Sequence, residues 1–282
     1  MLPSSVDYYR ANSVSDAVAK LKGNPDAKLL AGGHSLIPAL KLRLNSPSML
    51  IDVSGVSEMT GITENNGSLI IGSMVTHGDI ASSELVKNKI PVLSETAEMI
   101  GDIQVRNMGT IGGSIAHADP SADWPAALLV TDAVILTDQR EIPAEEFFLG
   151  FFTTALEEEE VVTAIRVPVP AAGTKMTYQK FVQPASRFAI VGCAAAVRVS
   201  GGKIEDARVA FTGVSDGPFR DRAMEDALIG KADNDTSAEE AAKLAAEEVS
   251  INEDHFASEA YRKHLAKVFA RKALRVVCGH VS

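Results

Sequence analysis

Apolar and polar residues alternate in several short runs of the first 170 residues, a period that predicts β-strands. The single-strand candidates are AKLLAGG at 27–33, SMLIDVSG at 48–55 and VVTAIRVPVP at 161–170. DAVILTDQREIPAEEFF at 132–148 predicts a strand, a turn, a second strand and the start of a helix. GSLIIGSMVTHGDI at 67–80 predicts a pair of strands leading into a helix cap. Helical spacing predicts one helix at 13–23, capped by Ser13, and another at 92–109 that runs into a loop.

The last part of the chain has a different pattern. Residues 175–215 alternate as an antiparallel meander does, with Gly201-Gly202 at a hairpin turn, and three helical segments follow at 221–230, 236–250 and 258–277. We therefore expect an α+β protein. Two α/β units, 1–57 and 58–172, would precede a C-terminal domain, 173–282, made of a small antiparallel sheet plus helices.

Composition narrows the class of protein. A chain of 282 residues can build more than one core, and its net charge of −10 makes nucleic acid an unfavourable partner. No apolar run approaches the roughly 20 residues that span a bilayer, and the N-terminus lacks an apolar signal core, so we expect a cytoplasmic protein. Cys193 and Cys278 are far apart in sequence and form no CxxC group. A zinc or iron–sulfur centre held by this chain alone is therefore not expected.

Two glycine pairs carry the candidate chemistry. Gly32-Gly33 lies in LLAGGHSLIP at 29–38, and Gly112-Gly113 lies in GTIGGSIAHADPSAD at 109–123. Each pair follows apolar residues, so we expect two turns whose free N–H groups form anion-binding nests that could grip a pyrophosphate from two sides. A P-loop lysine and a GxGxxG motif are both missing, which disfavours nucleotide hydrolysis and the Rossmann mode of dinucleotide binding.

Several nearby side chains have more than one interpretation. Asp123 is interpreted as a ligand contact, as the N-cap of the helix that follows it, or as both. His117 and Asp119, taken with Asp123, resemble a metal cluster, but the proline between them suits a loop beside a nucleotide better. His77 is interpreted as part of a helix cap, and Trp124 as a core residue.

The motifs together resemble a known family. LLAGGHSLIP and VRNMGTIGGSIAHADPSADWPAALL are similar to the flavin-binding medium subunit of molybdenum hydroxylases, of the carbon monoxide dehydrogenase, nicotine dehydrogenase and xanthine dehydrogenase type. The resemblance continues through EEEVVTAIRVP, YQKFVQPASRFAIVG, AFTGVSDGPFRDRAMEDALIG and EAYRKHLAKVFARKAL, and so covers nearly the whole chain. It implies that 1–57 and 58–172 are FAD-binding subdomains and that 173–282 is the C-terminal flavoprotein domain. Since no histidine or cysteine lies in a recognisable flavin-linking motif, we expect the FAD to be non-covalent.

The resemblance also implies contacts for individual residues. Those around the pyrophosphate are Leu30, Ala31, Gly32, Gly33, His34, Ser35 and Leu36 from the first motif, and Thr110, Ile111, Gly112, Gly113 and Ser114 from the second. Asp123 would bind ribose or ribityl hydroxyls, and Ile100 falls where some relatives place an aromatic ring near the flavin. Lys180 matches a lysine that approaches the cofactor, although an exposed strand position is its alternative. Thr163, or its neighbour Val162, falls at a backbone contact on the adenine side.

The same resemblance implies a role without catalytic residues in this chain. A large molybdopterin subunit would oxidise the substrate, and a small subunit with [2Fe–2S] clusters would pass electrons to FAD and on to an external acceptor. A dimer of heterotrimers is the expected assembly. Besides the cytoplasm, the alternative location is the inner face of the membrane, where partner subunits would hold the complex. Two other functions stay open: a free-standing FAD oxidoreductase with its own small substrate, and a non-catalytic nucleotide-binding or assembly protein.

Overall fold

A computed structural model describes residues 3–279, which form an α+β structure as expected. The first unit contains β1 (Asp7–Arg10), α1 (Val14–Gly23), β2 (Lys28–Leu30), α2 (Leu36–Lys41) and β3 (Met49–Asp52). Its sheet has the order β1-β3-β2, and both neighbouring pairs are parallel. Ser13 caps α1 as predicted, because its side chain accepts a hydrogen bond from the backbone N–H of Asp16. The pattern did not predict β1, whose mostly exposed DYYR sequence has no apolar alternation.

The second unit is a five-stranded antiparallel sheet surrounded by short helices. Its elements are β4 (Ile62–Asn65), β5 (Ser68–Gly72), α3 (His77–Ser82), α4 (Glu84–Lys89), α5 (Pro91–Met99), α6 (Ile103–Met108), α7 (Ile111–His117), α8 (Trp124–Val130), β6 (Val134–Thr137), β7 (Glu141–Pro143), α9 (Ala144–Phe147), β8 (Phe148–Gly150), β9 (Thr153–Thr154) and β10 (Val162–Pro168). The strand order is β4-β5-β10-β6-β7, and β8 and β9 form a separate hairpin. The strand, turn, strand and helix start predicted at 132–148 are confirmed.

Two predictions for this unit are wrong. Residues 67–80 contain one strand, not a pair, because β5 pairs with β4 before it and turns directly into α3. Residues 92–109 form two helices, not one, since the chain breaks at Gly101, which has φ +50°. Asp102 then starts α6 by accepting hydrogen bonds from the N–H groups of Gln104 and Val105.

The C-terminal region forms the predicted meander and three helices, but the helix predicted at 236–250 ends at Ala242. β11 (Thr174–Val182), β12 (Ala189–Ser200), β13 (Lys203–Thr212) and β14 (Phe219–Arg220) make an antiparallel sheet in that order, followed by α10 (Arg222–Leu228), α11 (Asp235–Ala242) and α12 (Glu259–Val277). One face of the sheet packs on α10–α12. The other face contributes Tyr178, Ala194 and Ala210 to the core of the second unit. Within residues 3–279, no helix is long and apolar enough to cross a bilayer.

Candidate functional site

A cavity of about 740 Å³ lies between the first two units, and both glycine motifs contribute to its wall. The predicted residues that line it are Ala31, Gly32, Gly33, His34, Ser35, Leu36, Ile100, Thr110, Gly112, Gly113, Ser114, Asp123 and Val162. Leu30, Ile111, Thr163 and Lys180 are absent from the lining. The structure therefore brings most of the residues implied by the resemblance to one cavity. The two glycine motifs, however, differ in conformation.

The first glycine turn has its backbone donors free. The N–H groups of Gly32, Gly33, His34 and Ser35 donate to no atom of residues 3–279, and all four residues line the cavity. Gly33 has φ +72°, a conformation that residues with a Cβ rarely adopt. Successive unpaired N–H groups beside a left-handed residue form an anion-binding nest. The free N–H groups predicted for this turn are therefore present in the structure, and their use as an anion-binding nest stays a prediction.

The second glycine pair has a different conformation from the one expected. It is not a strand-end turn, because Gly112 and Gly113 lie in the first turn of α7 and neither has positive φ. Its backbone donors are used within the protein: Gly112 N–H donates to Ser73 O at 2.9 Å, and Gly113 N–H donates to Thr110 Oγ1 at 3.1 Å. The N–H groups of Ile111 and Ser114 are bonded to backbone carbonyls as well. The second nest is thus contradicted, although Gly112, Gly113 and Ser114 still line the cavity.

Close packing explains why the second pair is glycine. A Cβ on Gly112 would lie 2.4 Å from Ser73 Cβ and 2.7 Å from Ser73 O, closer than real atoms approach. The first motif shows one similar contact, since a Cβ on Gly32 would lie 2.1 Å from Met108 O. Gly32 and Gly112 therefore allow the loops to pack, whereas Gly33 permits the turn that frees the N–H groups.

Asp123 lies in a buried polar cluster with two partners from β11. Tyr178 donates its hydroxyl to the carboxylate at 2.5 Å, and Lys180 Nζ lies 2.9 Å from it. Lys180 also donates to Met99 O, and its side chain is only 3% exposed, so the alternative of an exposed strand lysine is wrong. Asp123 occupies the N-cap position of α8, but its side chain makes no capping hydrogen bond.

Burial controls the charges in this cluster. Burial raises the pKa of Asp123, while the ammonium of Lys180 and the hydrogen bond from Tyr178 act in the opposite direction. Burial and the adjacent carboxylate raise the pKa of Tyr178 well above its usual value, so that its hydroxyl remains a donor. The cluster fixes the carboxylate at the cavity wall, with both oxygens oriented by the C-terminal sheet.

The C-terminal sheet also holds the loop that carries Asp123. Thr212 Oγ1 donates to Pro120 O at 3.0 Å and to Ala122 O at 2.6 Å. The N–H groups of Gly213 and Ala189 donate to carbonyls of the same loop. Residues 117–123 are thereby positioned by contacts from β12 and β13. No group of three or more His, Cys, Asp or Glu within residues 3–279 could hold a metal ion.

His77 is a cavity residue whose role the sequence did not reveal. The cap of α3 is Thr76, which accepts from the N–H of Asp79, whereas His77 is the first helical residue and is 4% exposed. Trp124, fully buried as predicted, donates its indole N–H to Nδ1 of His77 at 3.1 Å. The one signal available was the tryptophan itself, because a buried indole N–H needs an acceptor.

Other lining residues also escaped sequence analysis. They are spread along the chain and include Lys28, Asn45, Ser73, Arg187 and Phe188. No motif connects them, and only the fold brings the loop between β11 and β12 to the cavity mouth. Geometrically, the site offers a row of backbone donors, a fixed carboxylate and an apolar wall, which together suit an anionic ligand with sugar and aromatic parts.

Comparison with known families identifies such a ligand. Residues 4–170 match the family described as FAD binding domain in molybdopterin dehydrogenase, and residues 176–277 match the CO dehydrogenase flavoprotein C-terminal domain. The chain belongs to this FAD-binding family. It is 39% identical to the glyceraldehyde dehydrogenase medium chain of Sulfolobus acidocaldarius, over 98% of this chain and 100% of that protein. It is also 39% identical to the carbon monoxide dehydrogenase medium chain of Hydrogenophaga pseudoflava, over 97% of both.

Solved structures of the family share the whole fold. A chain of carbon monoxide dehydrogenase from Hydrogenophaga pseudoflava superposes with a TM-score of 0.95 at 40% identity, covering 99% of this chain and 100% of that one. A chain of quinoline 2-oxidoreductase from Pseudomonas putida 86 gives 0.93 at 31% identity, covering 98% of both. This FAD-binding chain is therefore a medium subunit of the molybdenum hydroxylase type. Its relatives are named for unrelated substrates, so the likeness does not define one.

Proposed function

We propose that the chain holds one FAD in the cavity, takes electrons from [2Fe–2S] clusters of a small partner subunit and passes them to an external acceptor. The observation that carries the proposal is the row of four unpaired N–H groups at 32–35 beside a cavity of about 740 Å³. A pyrophosphate is the part of FAD that such a nest fits. When bound, the flavin exchanges two electrons singly or as a pair.

The proposed binding residues divide the ligand among the units. Residues 30–36 and 110–114 surround the pyrophosphate, with the direct backbone donors coming from 32–35. Val162 and Thr163 lie toward the adenine side, Ile100 toward the flavin, and Asp123 accepts from sugar hydroxyls. In this scheme Lys180 acts through Asp123, because its ammonium is paired with that carboxylate and Lys180 itself does not line the cavity.

The proposed partners come from the relatives. Medium chains of carbon monoxide dehydrogenase and a nicotine 6-hydroxylase medium subunit are among them, which supports an assembly with a large molybdopterin subunit and a small iron–sulfur subunit. A dimer of heterotrimers in the cytoplasm is the proposed form. The domain bounds 1–57, 58–172 and 173–282 are part of the same proposal.

Affinity purification of the full chain from its own cells tests this function. We expect two further subunits, with molybdenum, iron and FAD in the complex, and we expect acid precipitation to release all the yellow colour. The reduced complex should lose its electrons to an added quinone or dye only while FAD is present. A flavin-loaded chain that purifies alone and oxidises a small substrate would support the free-standing oxidoreductase instead.

A further inference from the structure

Near the second glycine pair, the start of α3 carries a polar side chain that has no role in the proposed FAD contacts. Since the N–H groups of residues 111–114 are bonded within the protein, this side of the cavity has few backbone donors for an anion. His77 lies there, at the start of α3, and its backbone N–H donates to Gly109 O at 3.0 Å. Its imidazole is buried and bonded at only one of its two ring nitrogens.

Trp124 fixes the tautomer of that imidazole. An indole N–H can only donate, so the 3.1 Å contact requires Nδ1 of His77 to be an acceptor without a proton. In the neutral ring the proton must then be on Nε2. Burial, with smaller contributions from the nearby His34 and Arg106 side chains, lowers the pKa of His77 to about 4. At neutral pH the ring is therefore a neutral N–H donor of fixed orientation.

The Nε2 atom has no acceptor within residues 3–279, yet it is not sealed in the core. The fully enclosed side-chain atoms without a partner are Ser73 Oγ and Arg262 Nε, and Nε2 is not among them. A Cβ on Gly109 would lie 2.8 Å from Nε2. Gly109 has φ −63° and ψ 137°, which any residue adopts, so the backbone conformation does not require glycine there. Glycine instead leaves space beside the imidazole edge and the Val105 carbonyl.

The position of His77 indicates its ligand. Gly32 packs directly on Gly109, since a Cβ on Gly32 would lie 2.8 Å from Gly109 Cα. Gly109 therefore contacts both the first glycine turn and the Nε2 edge of the imidazole, and His77 lines the same cavity as residues 32–35, where the N–H groups of residues 111–114 are bonded within the protein. We infer that His77 binds the pyrophosphate of FAD by donating Nε2–H, and so replaces the backbone donors that α7 does not supply. This inference rests on the proposed function.

Two substitutions separate the two ring nitrogens. His77→Asn retains an acceptor near Nδ1 for Trp124 but has no group that reaches Nε2, whereas His77→Gln retains a donor near Nε2 and loses the fixed acceptor. The flavin-free protein is titrated with FAD, ADP and riboflavin, and its thermal melt is recorded. Thr96→Val is the matched control, because Thr96 is a buried hydroxyl outside the cavity that donates to Val92 O.

The inference expects a specific pattern of affinities. His77→Asn should bind FAD and ADP at least about tenfold more weakly, as expected for the loss of a hydrogen bond to a charged group, while riboflavin binding stays unchanged. His77→Gln should stay within a few-fold of the parent for FAD, and Thr96→Val should equal it. Full FAD affinity in His77→Asn, or an equal loss for riboflavin, would overturn the inference. If the parent chain itself does not bind FAD, the proposed function fails instead.

Discussion

The two glycine pairs look alike in sequence and differ in structure. Gly32-Gly33 follows a strand and enters a turn with positive φ, which leaves four consecutive N–H groups unpaired. Gly112-Gly113 lies inside a helix whose first N–H groups are all bonded to the protein. One pair therefore presents backbone to a ligand, and the other allows two protein segments to pack closely.

The presence or absence of a capping residue upstream of each pair distinguishes these outcomes. Thr110 precedes Ile111-Gly112-Gly113 and caps α7 by accepting from the N–H of Gly113, so the chain enters a helix at once. Ala31 precedes Gly32 and cannot cap, while Ser35 occupies the N-cap of α2 without a side-chain hydrogen bond. A glycine pair is therefore evidence for a nest only when no capping residue absorbs its N–H groups.

The largest expected effect concerns Asp123, the buried group on the side of the second pair. Asp123→Asn leaves the Lys180 ammonium buried without a counter-charge, and breaking such a pair costs about 3–5 kcal/mol of stability. We expect the free energy of unfolding of the flavin-free protein, measured in urea, to fall by that amount. This differs from what a simple cap predicts, since asparagine caps as well as aspartate.

A double variant is the control for that prediction. Asp123→Asn combined with Lys180→Met removes both charges, so its stability should recover part of the loss. If the loss in the double variant equals the sum of the two single losses, the pair is not coupled and the carboxylate is held by Tyr178 alone.

Local signals in the sequence predicted the fold class, and the resemblance predicted most of the residues of the cavity wall. Strand alternation, the cap at Ser13 and the glycine-rich motifs each lie within a few residues. Two of the three predicted C-terminal helices are confirmed over nearly their whole length, and the third, predicted at 236–250, ends at Ala242. The resemblance placed both motifs at one ligand, and the structure brings them to one cavity.

The remaining features depend on contacts between distant segments. The bond between His77 and Trp124 spans 47 positions, and that between Asp123 and Lys180 spans 57. No local period encodes such pairs. The role of Gly112 likewise depends on Ser73, a residue from the end of another strand, so a free nest and a packed helix could not be distinguished from the motif itself.

A smaller effect tests whether the second pair serves packing. Gly112→Ala places a Cβ against Ser73 backbone and Cβ atoms, so we expect a net loss of about 1–3 kcal/mol. In Gly113→Ala the nearest atom is Thr110 Oγ1 at 2.9 Å. Losing that cap costs about 1 kcal/mol, which the higher helix propensity of alanine offsets. Urea unfolding of the two flavin-free variants should therefore differ, and equal losses would contradict the packing role.

The smallest effect tests the first pair, where conformation and ligand binding are coupled. Gly33→Ala puts a Cβ on a residue at φ +72°, which costs about 1–2 kcal/mol for alanine and less for asparagine. If the turn of the flavin-free variant keeps the left-handed conformation, the strain lowers the free energy of unfolding. If the turn instead adopts another conformation until FAD binds, the strain weakens FAD binding by up to about tenfold. The two losses together should match the strain, and Gly33→Asn should show less of both.

Gly61→Ala is the control. Gly61 has φ +84°, has open space around it and does not line the cavity, so this substitution should lower stability without changing FAD affinity. Parallel thermal melts and FAD titrations decide the question: full stability with full affinity in Gly33→Ala would show that the nest does not depend on a left-handed residue.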